Sequence, residues 1–180
     1  MPDRLTLLKS TSIALAALSL AACQQAGDTP ENSEAASPTL PISMNAVMIS
    51  VVDSSADYIF ALGNGDLPRD DHDWDIVRSA TYEMILSGEL TKMEGTGGFD
   101  AEWAADPQWQ EWANDLSVIG QDALVLAETK SEDVDAWRAL GDRLVDNCES
   151  CHQQFKPEIP SQGILHESTE RESRGESIFD

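Results

Sequence analysis

Apolar residues recur at intervals of three and four over much of the chain, as they do on one face of an α-helix. The first such stretch runs from Met44 to Leu62 and ends at Gly63-Asn64-Gly65, where glycine favours a turn. No segment of useful length alternates between apolar and polar residues, as the residues of a half-buried strand would. The pattern predicts a helical chain whose first helix lies between Met44 and Leu62.

A second helix is expected to begin at a capping aspartate, either Asp71 or Asp73. Its predicted apolar face consists of Trp74, Val77, Thr81, Met84 and Ile85. Ser87-Gly88 weakens the continuation of this helix, so we expect it to end near Leu86 or later.

A glycine-rich segment around Gly95, Gly97 and Gly98 is predicted to be a long loop, because each glycine costs about 1 kcal/mol relative to alanine within a helix. Asp106-Pro107 then starts a third helix, since a capping carboxylate followed by proline at the first helical position is a strong start signal. The apolar face of this helix is predicted to consist of Trp109, Trp112, Leu116, Ile119, Ala123 and Leu126.

A fourth helix starts after Thr129 and Glu132, which stand in capping-box relation, although Ser131 is an alternative cap. Its predicted buried face carries Val134, Trp137, Leu144, Cys148, Cys151 and Phe155. Four amphipathic helices joined by connections predict an all-α fold, specifically an up-and-down four-helix bundle.

The N-terminal residues have the features of an export signal. Arg4 and Lys9 precede an apolar run over residues 13–20, which is too short to span a bilayer. Positions 20–23 read Leu-Ala-Ala-Cys, which resembles the lipobox of bacterial lipoproteins, in which the cysteine is acylated and becomes the first mature residue. Lipidation of Cys23 is the favoured interpretation, and ordinary signal cleavage that leaves Cys23 as a free thiol is the alternative.

Composition divides the rest of the chain. Residues 23–40 are rich in polar residues and proline, so we expect an acylated, flexible tether after a signal peptide at 1–22. The globular domain is predicted at 41–160. The charged stretch 161–180 mostly lacks apolar periodicity and is expected to be a polar tail, disordered or loosely docked.

The chain is strongly acidic, with 11 Lys and Arg against 33 Asp and Glu and a formal net charge of −22. It therefore lacks the basic surface that nucleic-acid binding requires. The acidity indicates either attraction to basic partner proteins or a solvated surface that keeps the protein soluble. No set of nucleophile, base and acid and no phosphate-binding loop is evident, so we predict no enzymatic turnover.

The most specific motif is Cys148-Glu149-Ser150-Cys151-His152, a C-x-x-C-H sequence typical of covalent haem c attachment. Positions i, i+3 and i+4 share one face of a helix. Both thiols can therefore form thioethers with the haem vinyl groups while the His152 imidazole faces the iron as the proximal ligand. The cofactor expected is one covalent haem c per chain.

Two other interpretations of the motif are weaker. A redox-active C-x-x-C stands at a helix N-terminus, where the dipole lowers the thiol pKa, whereas this one is predicted near a helix C-terminus. A structural zinc site needs four ligands, and outside the motif the chain offers only His72, His166 and Cys23, scattered among polar segments.

A C-terminal C-x-x-C-H on the last of four helices resembles class II cytochromes c, the cytochrome c′ family, and so does the aromatic-basic pair Phe155-Lys156. The likeness covers roughly 42–156, but its specific part is 148–156. It implies a four-helix bundle with haem on the C-terminal helix. One departure is the absence of any basic residue between Lys9 and Arg69, where family members often carry an arginine near the haem propionates.

The resemblance also places the distal side of the iron on the first helix, with either a methionine ligand or an apolar residue that leaves the iron five-coordinate. Met48 is the preferred distal ligand and Met44 the alternative, and a thioether opposite histidine suits electron transfer. Either methionine could instead simply fill core space. The tryptophans predicted to line the pocket or fill the core are Trp74, Trp109, Trp112 and Trp137.

Three functions follow from these observations. The first is a monohaem electron carrier, lipid-anchored on the periplasmic side of a bacterial membrane, with envelope redox proteins as partners, basic ones if its acidity steers them. The second is cytochrome c′-type binding of NO or CO at five-coordinate haem. The third is a structural or assembly lipoprotein with vestigial haem. Many members of the resembled family dimerise, which leaves a homodimer open.

Overall fold

The structure is a computed structural model that describes residues 38–156 and 174–179. Within these ranges all regular secondary structure is helical, which confirms the predicted all-α class. There are five helices: α1 (Met44–Gly63), α2 (Asp71–Thr91), α3 (Asp100–Ala105), α4 (Pro107–Glu128) and α5 (Val134–Phe155). The predicted signal peptide, Cys23, most of the predicted tether, His166 and most of the predicted tail lie outside the described residues.

Helix α1 ends at Gly63, as predicted, but it is not a regular α-helix throughout. Its first turn, Met44–Val47, is capped by Ser43, whose side chain accepts a hydrogen bond from the amide of Ala46. A π-helical segment, Met48–Asp53, follows before the α-helix resumes at Ser54–Gly63. Apolar spacing alone did not indicate this segment, because a π-helical turn adds only one residue to the period.

Among the described helices, α1 alone is long and apolar enough to cross a membrane by length and composition, and half of its most apolar stretch is buried in the protein.

The N-terminal cap of helix α2 differs from the prediction, whereas its C-terminal end agrees with the expected end near Leu86 or later. Its cap is Asp70, not Asp71 or Asp73, and the Asp70 carboxylate accepts the amides of the next turn. The helix also continues past Gly88 to Thr91. Gly88 lies against α4, where an added Cβ would come within 2.5 Å of the Ala113 carbonyl oxygen. The absence of a Cβ at Gly88 therefore allows α4 to pack closely against α2.

Helix α4 begins as predicted, with Asp106 as the cap and Pro107 in the first turn. The predicted caps of α5 were wrong: Asp133 caps it, accepting two backbone amides. Thr129 instead ends α4 and donates to the Val125 carbonyl. The predicted glycine-rich loop is present but is followed directly by the short helix α3, which sequence periodicity did not indicate.

The four long helices pack in a ring, in which α1 contacts α2 and α5, and α4 contacts α2 and α5. Neighbours run in opposite directions. Helix α1 approaches α5 at Gly63 near Arg138 and again where the Lys156 ammonium donates to the Asn45 side chain, 2.9 Å away. Two apolar clusters fill the interior, a larger one containing Trp137 and a smaller one around the start of α1.

The C-terminal residues 174–179 lie against the connection between α1 and α2. The Asp66 carboxylate accepts hydrogen bonds from the Ser177 hydroxyl at 2.8 Å and the Ile178 amide at 2.6 Å. The Phe179 ring packs on the larger apolar cluster, with its centroid 6.1 Å from that of Tyr58. This part of the predicted tail is thus docked on the helical domain.

Candidate functional site

An apolar cavity of about 260 Å³ lies where the start of α1, the end of α5, α3 and α4 come together. This volume is close to the lower end of the range for small-molecule sites. The cavity is associated with the smaller apolar cluster, in which Met44, Val52 and Trp109 are buried. This cavity is therefore the candidate binding site of the fold.

The last turns of α5 bring the whole C-x-x-C-H motif to this cavity. Cys148, Cys151 and His152 all line it, because positions i, i+3 and i+4 share a helix face. Both cysteines are free thiols. The motif also lies at the C-terminal end of α5, which begins 14 residues earlier at Val134. The dipole at this end disfavours a thiolate.

The protonation of the two cysteines agrees with that position. Burial, with smaller contributions from the neighbouring Cys151 and Asp53, raises the pKa of Cys148 to about 12. Burial also raises the pKa of Cys151 to about 12, against the opposing effect of the Lys156 cation. Both groups are therefore neutral thiols at neutral pH, which is the opposite of what a thiol-disulfide redox centre requires.

His152 presents a neutral imidazole to the cavity. Burial lowers its pKa below the usual value for histidine, and the nearby Lys156 cation acts in the same direction. Its Nδ1 atom is buried and has no hydrogen-bond partner among the residues that the structure describes. A buried polar atom without a partner is costly, so this position is one where a bound group or a small rearrangement would be favourable.

The start of α1 forms the cavity wall that carries both methionines. Met44 is 1% exposed, and Met48 packs on the same apolar cluster. Both side chains line the cavity together with His152. The π-helical segment adds Val52 and the carboxylate of Asp53 to this wall. π-helical turns occur frequently at functional sites.

Aromatic rings form the remaining wall. Trp109 and Trp112 line the cavity, whereas Trp74 and Trp137 belong to the larger apolar cluster. The Phe155 ring meets the rings of Trp109 and Trp112 edge-on, at centroid distances of 5.0 and 5.7 Å. Such edge-to-face pairs stabilise packing beyond simple burial.

The cavity-lining residue Trp103 was not predicted from the sequence. It lies on α3, stacked between Phe99 at 5.8 Å and Trp109 at 5.2 Å. The i, i+4 spacing of Phe99 and Trp103 within an otherwise polar segment is the signal that could have indicated α3. Lys156 is also placed at the cavity, 6.0 Å from the Trp103 ring centroid.

Among the described residues, no other histidine or cysteine adds a ligand to the cavity. His72 is exposed in the first turn of α2 and does not line the cavity, and His166 and Cys23 lie outside the described residues. Over residues 38–156 and 174–179, no three His, Cys, Asp or Glu side chains cluster as a metal site would require.

The arrangement is therefore two neutral thiols and one neutral imidazole on one side of an apolar cavity and two thioethers on another. The thiols of such a site can form covalent bonds through sulfur, and its imidazole nitrogen and thioether sulfur atoms can act as ligands. Comparisons of the chain with models of known protein families, with curated proteins and with solved structures found no match.

Proposed function

We propose that this protein is a membrane-anchored c-type cytochrome that transfers electrons in the bacterial cell envelope. The observation that carries the proposal is the convergence of Cys148, Cys151 and His152 on one apolar cavity that Met44 and Met48 also line. A C-x-x-C-H sequence is the haem c attachment signature, and here its three functional side chains have room beside them for a ligand.

The chemistry of these side chains fits haem c. The Cys148 and Cys151 thiols would add across the two vinyl groups to form thioether bonds. His152, with its depressed pKa, offers the uncharged nitrogen lone pair that iron ligation requires. Its unpartnered Nδ1 would need a backbone or solvent acceptor to fix the tautomer.

The fold fits the same proposal. Four long helices in a ring, with neighbours running in opposite directions, support an up-and-down bundle like that of cytochromes c′ as the proposed architecture. In that arrangement α5 is the haem helix and α1 the distal helix. The likeness is one of architecture and motif, so it supports the function only together with the site.

The missing basic residue on the first helix has a counterpart in the structure. Lys156, from the end of α5, reaches α1 and donates to Asn45 at 2.9 Å. Its ammonium group lies at the cavity, over Trp103. We propose that Lys156 supplies the positive charge for a haem carboxylate that an arginine on the first helix supplies in related proteins.

Bound haem would supply a one-electron couple, and the residues around it favour electron transfer over catalysis. Methionine opposite histidine stabilises ferrous iron, and we propose Met48, or Met44, in that position. The rings of Trp103, Trp109 and Phe155 would make the surroundings of the haem largely apolar. Partners would be envelope redox proteins, basic ones if the acidic surface guides them. Acylation of Cys23 would hold the protein on the periplasmic side of a membrane.

The test is expression of the full chain in an export host with haem-maturation machinery. We expect haem that remains on the polypeptide after denaturation. The double variant Cys148→Ser, Cys151→Ser should lose it completely, since no thioether can form. Cys23→Ser is the matched control, because it removes the remaining cysteine and should abolish labelling by fatty acid while leaving haem in place.

The absorption spectrum then separates electron transfer from gas binding. A low-spin spectrum with the weak sulfur-to-iron charge-transfer band is expected, and Met48→Ala should abolish that band while Met44→Ala retains it. The reverse result would assign Met44. A high-spin spectrum that shifts with CO would contradict electron transfer and favour NO or CO binding. A wild-type protein without haem would contradict the cytochrome assignment itself.

A further inference from the structure

A buried carboxylate connects the glycine-rich loop to the start of α1. Asp100 is 4% exposed, and its Oδ2 atom accepts hydrogen bonds from the amides of Met44 and Gly97, both at 2.7 Å. A buried carboxyl group is costly unless it is hydrogen-bonded. The two hydrogen bonds of the Asp100 carboxylate are therefore a specific buried tertiary contact. One of them joins residues 56 positions apart in the sequence.

The glycines around Asp100 allow the chain to wrap closely around its carboxylate. A Cβ added at Gly97 would lie 2.5 Å from Asp100 Oδ1, and one at Gly95 would lie 2.8 Å from the Ile42 carbonyl oxygen. Backbone therefore obstructs a side chain at Gly95, and a side chain at Gly97 would displace the Asp100 carboxylate. Gly98, by contrast, has no atom near its absent Cβ. Two of the three glycines in this segment are thus explained by the approach to Asp100 and to the entry of α1.

The same loop also holds the residues that precede α1. The Leu40 amide donates to the Glu94 carbonyl at 2.7 Å, and the Thr96 amide donates to the Ile42 carbonyl at 3.0 Å. Together with the Asp100 bond to Met44, these contacts fix the chain on both sides of the helix start. The first turn of a helix otherwise frays easily, because its amides lack intrahelical partners.

We propose that Asp100 is a positioning residue that holds Met44 and Met48 at the cavity, so that one of them can serve as the distal iron ligand. This inference rests on the proposed haem function. Ser43 already provides a local cap through the Ala46 amide, so Asp100 is not needed merely to begin α1. Its bond is to the backbone of a cavity-lining methionine, and Met48 lies one turn further along the same helix.

Helix α3 connects the hydrogen bonds of Asp100 to the aromatic wall of the cavity. Asp100 is its first residue, and Trp103 in the same helix lines the cavity and stacks on Trp109. One short helix thus fixes both the methionine wall and part of the aromatic wall. Loss of the Asp100 bonds should therefore alter the geometry of the site before it affects the larger apolar cluster around Trp137.

The test compares the full-length wild-type chain with its Asp100→Ala variant. Two properties are measured in each: hydrogen exchange of the amides over 40–48, and the absorption spectrum. In Asp100→Ala we expect exchange at Met44 to accelerate about tenfold or more, as expected for loss of a hydrogen bond to a carboxylate. The methionine charge-transfer band should weaken or vanish while covalent haem is retained. Asp100→Asn keeps one oxygen acceptor, so both effects should be smaller.

Asp70→Ala is the matched control, because Asp70 caps α2 through two amides but does not line the cavity. It should leave exchange over 40–48 and the band unchanged. Faster exchange in Asp100→Ala with an intact band would overturn the positioning role, and no change in either measurement would overturn the whole inference. Should Asp100→Ala not fold, an unchanged band in Asp100→Asn with faster exchange at Met44 overturns it. A wild-type protein without haem would overturn both the proposed function and this inference. If the wild type does bind haem, the variants test the role of Asp100 alone.

Discussion

Two glycines in the middle of helices determine how closely α2 and α4 approach. A Cβ at Gly88 would lie 2.5 Å from the Ala113 carbonyl oxygen, and one at Gly120 would lie 2.7 Å from the Ile85 amide nitrogen. In both cases the obstructing atom belongs to backbone, which cannot move aside as a side-chain tip can. Glycine therefore costs each helix some intrinsic stability but allows close packing between them.

Gly88→Ala should destabilise the protein even though alanine is the better helix former by about 1 kcal/mol. Overpacking typically costs about 1 to 3 kcal/mol. Because the clash here is with backbone, we take the upper part of that range and expect a net loss of about 1 to 2 kcal/mol after the gain in helix propensity. The midpoint of urea unfolding measures the effect.

Gly141→Ala on α5 is the comparison, because its Cβ would meet the Phe60 ring at 3.3 Å, and a ring can shift. We expect little change or a small gain in stability for Gly141→Ala. Equal losses in the two variants would show that backbone contact at Gly88 is not the cause.

Residue chemistry was predictable from the sequence where it depended on local spacing. Cys148, Cys151 and His152 were expected on one face of a helix, and the structure places them in one cavity. Asp100 and Trp103 were not predicted, because Asp100 binds the Met44 amide 56 positions away and Trp103 meets the Phe155 ring of another helix. Local spacing specifies which side chains share a face, but not which distant segment that face meets.

At the level of helices, most boundaries followed from sequence, but two of the three predicted N-terminal caps did not. Helix α4 begins at the predicted Asp106-Pro107, whereas α5 is capped by Asp133 instead of Thr129 or Ser131. Several polar residues suitable as caps precede α5, and sequence alone does not say which adopts the extended backbone of a cap. Tertiary packing decides, for example through the Trp137 indole, which donates to the Ser131 carbonyl at 2.8 Å.

Asp133→Ala should therefore lower the free energy of unfolding by about 1 kcal/mol, the usual cost of losing a capping side chain. Thr129→Ala should have almost no effect, since the Thr129 hydroxyl only donates to carbonyls at the end of α4. Thermal unfolding of both variants shows whether Asp133 or Thr129 caps α5. A larger loss in Thr129→Ala would contradict the assignment.

At the scale of the whole molecule, residues 174–179 attach the C-terminus to the ring of helices, far in sequence from the elements they contact. Asp66 accepts the Ser177 hydroxyl and the Ile178 amide, and the Arg69 guanidinium donates to the Phe179 carbonyl. The Phe179 ring adds apolar contact to the larger cluster. The sequence left open whether this charged tail is disordered or loosely docked, because it mostly lacks apolar periodicity and does not show which of its few apolar residues meet the core.

Phe179→Ala should reduce the free energy of unfolding by about 1 to 2 kcal/mol, somewhat below the value for a fully buried aromatic ring. Glu176→Ala is the control within the same segment, because it removes only the exposed ion pair with Arg174, which is expected to contribute little. Urea unfolding measures both. A loss in Glu176→Ala as large as that in Phe179→Ala would exclude ring packing as the source of the stability.

The π-helical segment of α1 divides that helix into two α-helical parts whose relative rotation can change during evolution. An i→i+5 turn holds one residue more than an α-helical turn, and one residue corresponds to about 100° of rotation. Deletion of a single codon within Met48–Asp53 could therefore restore a regular helix while turning Met44 away from the cavity. Ile59 and Leu62, beyond the segment, would keep their places in the core. A descendant of this protein could lose Met44 from the cavity wall in one mutational step and keep its fold.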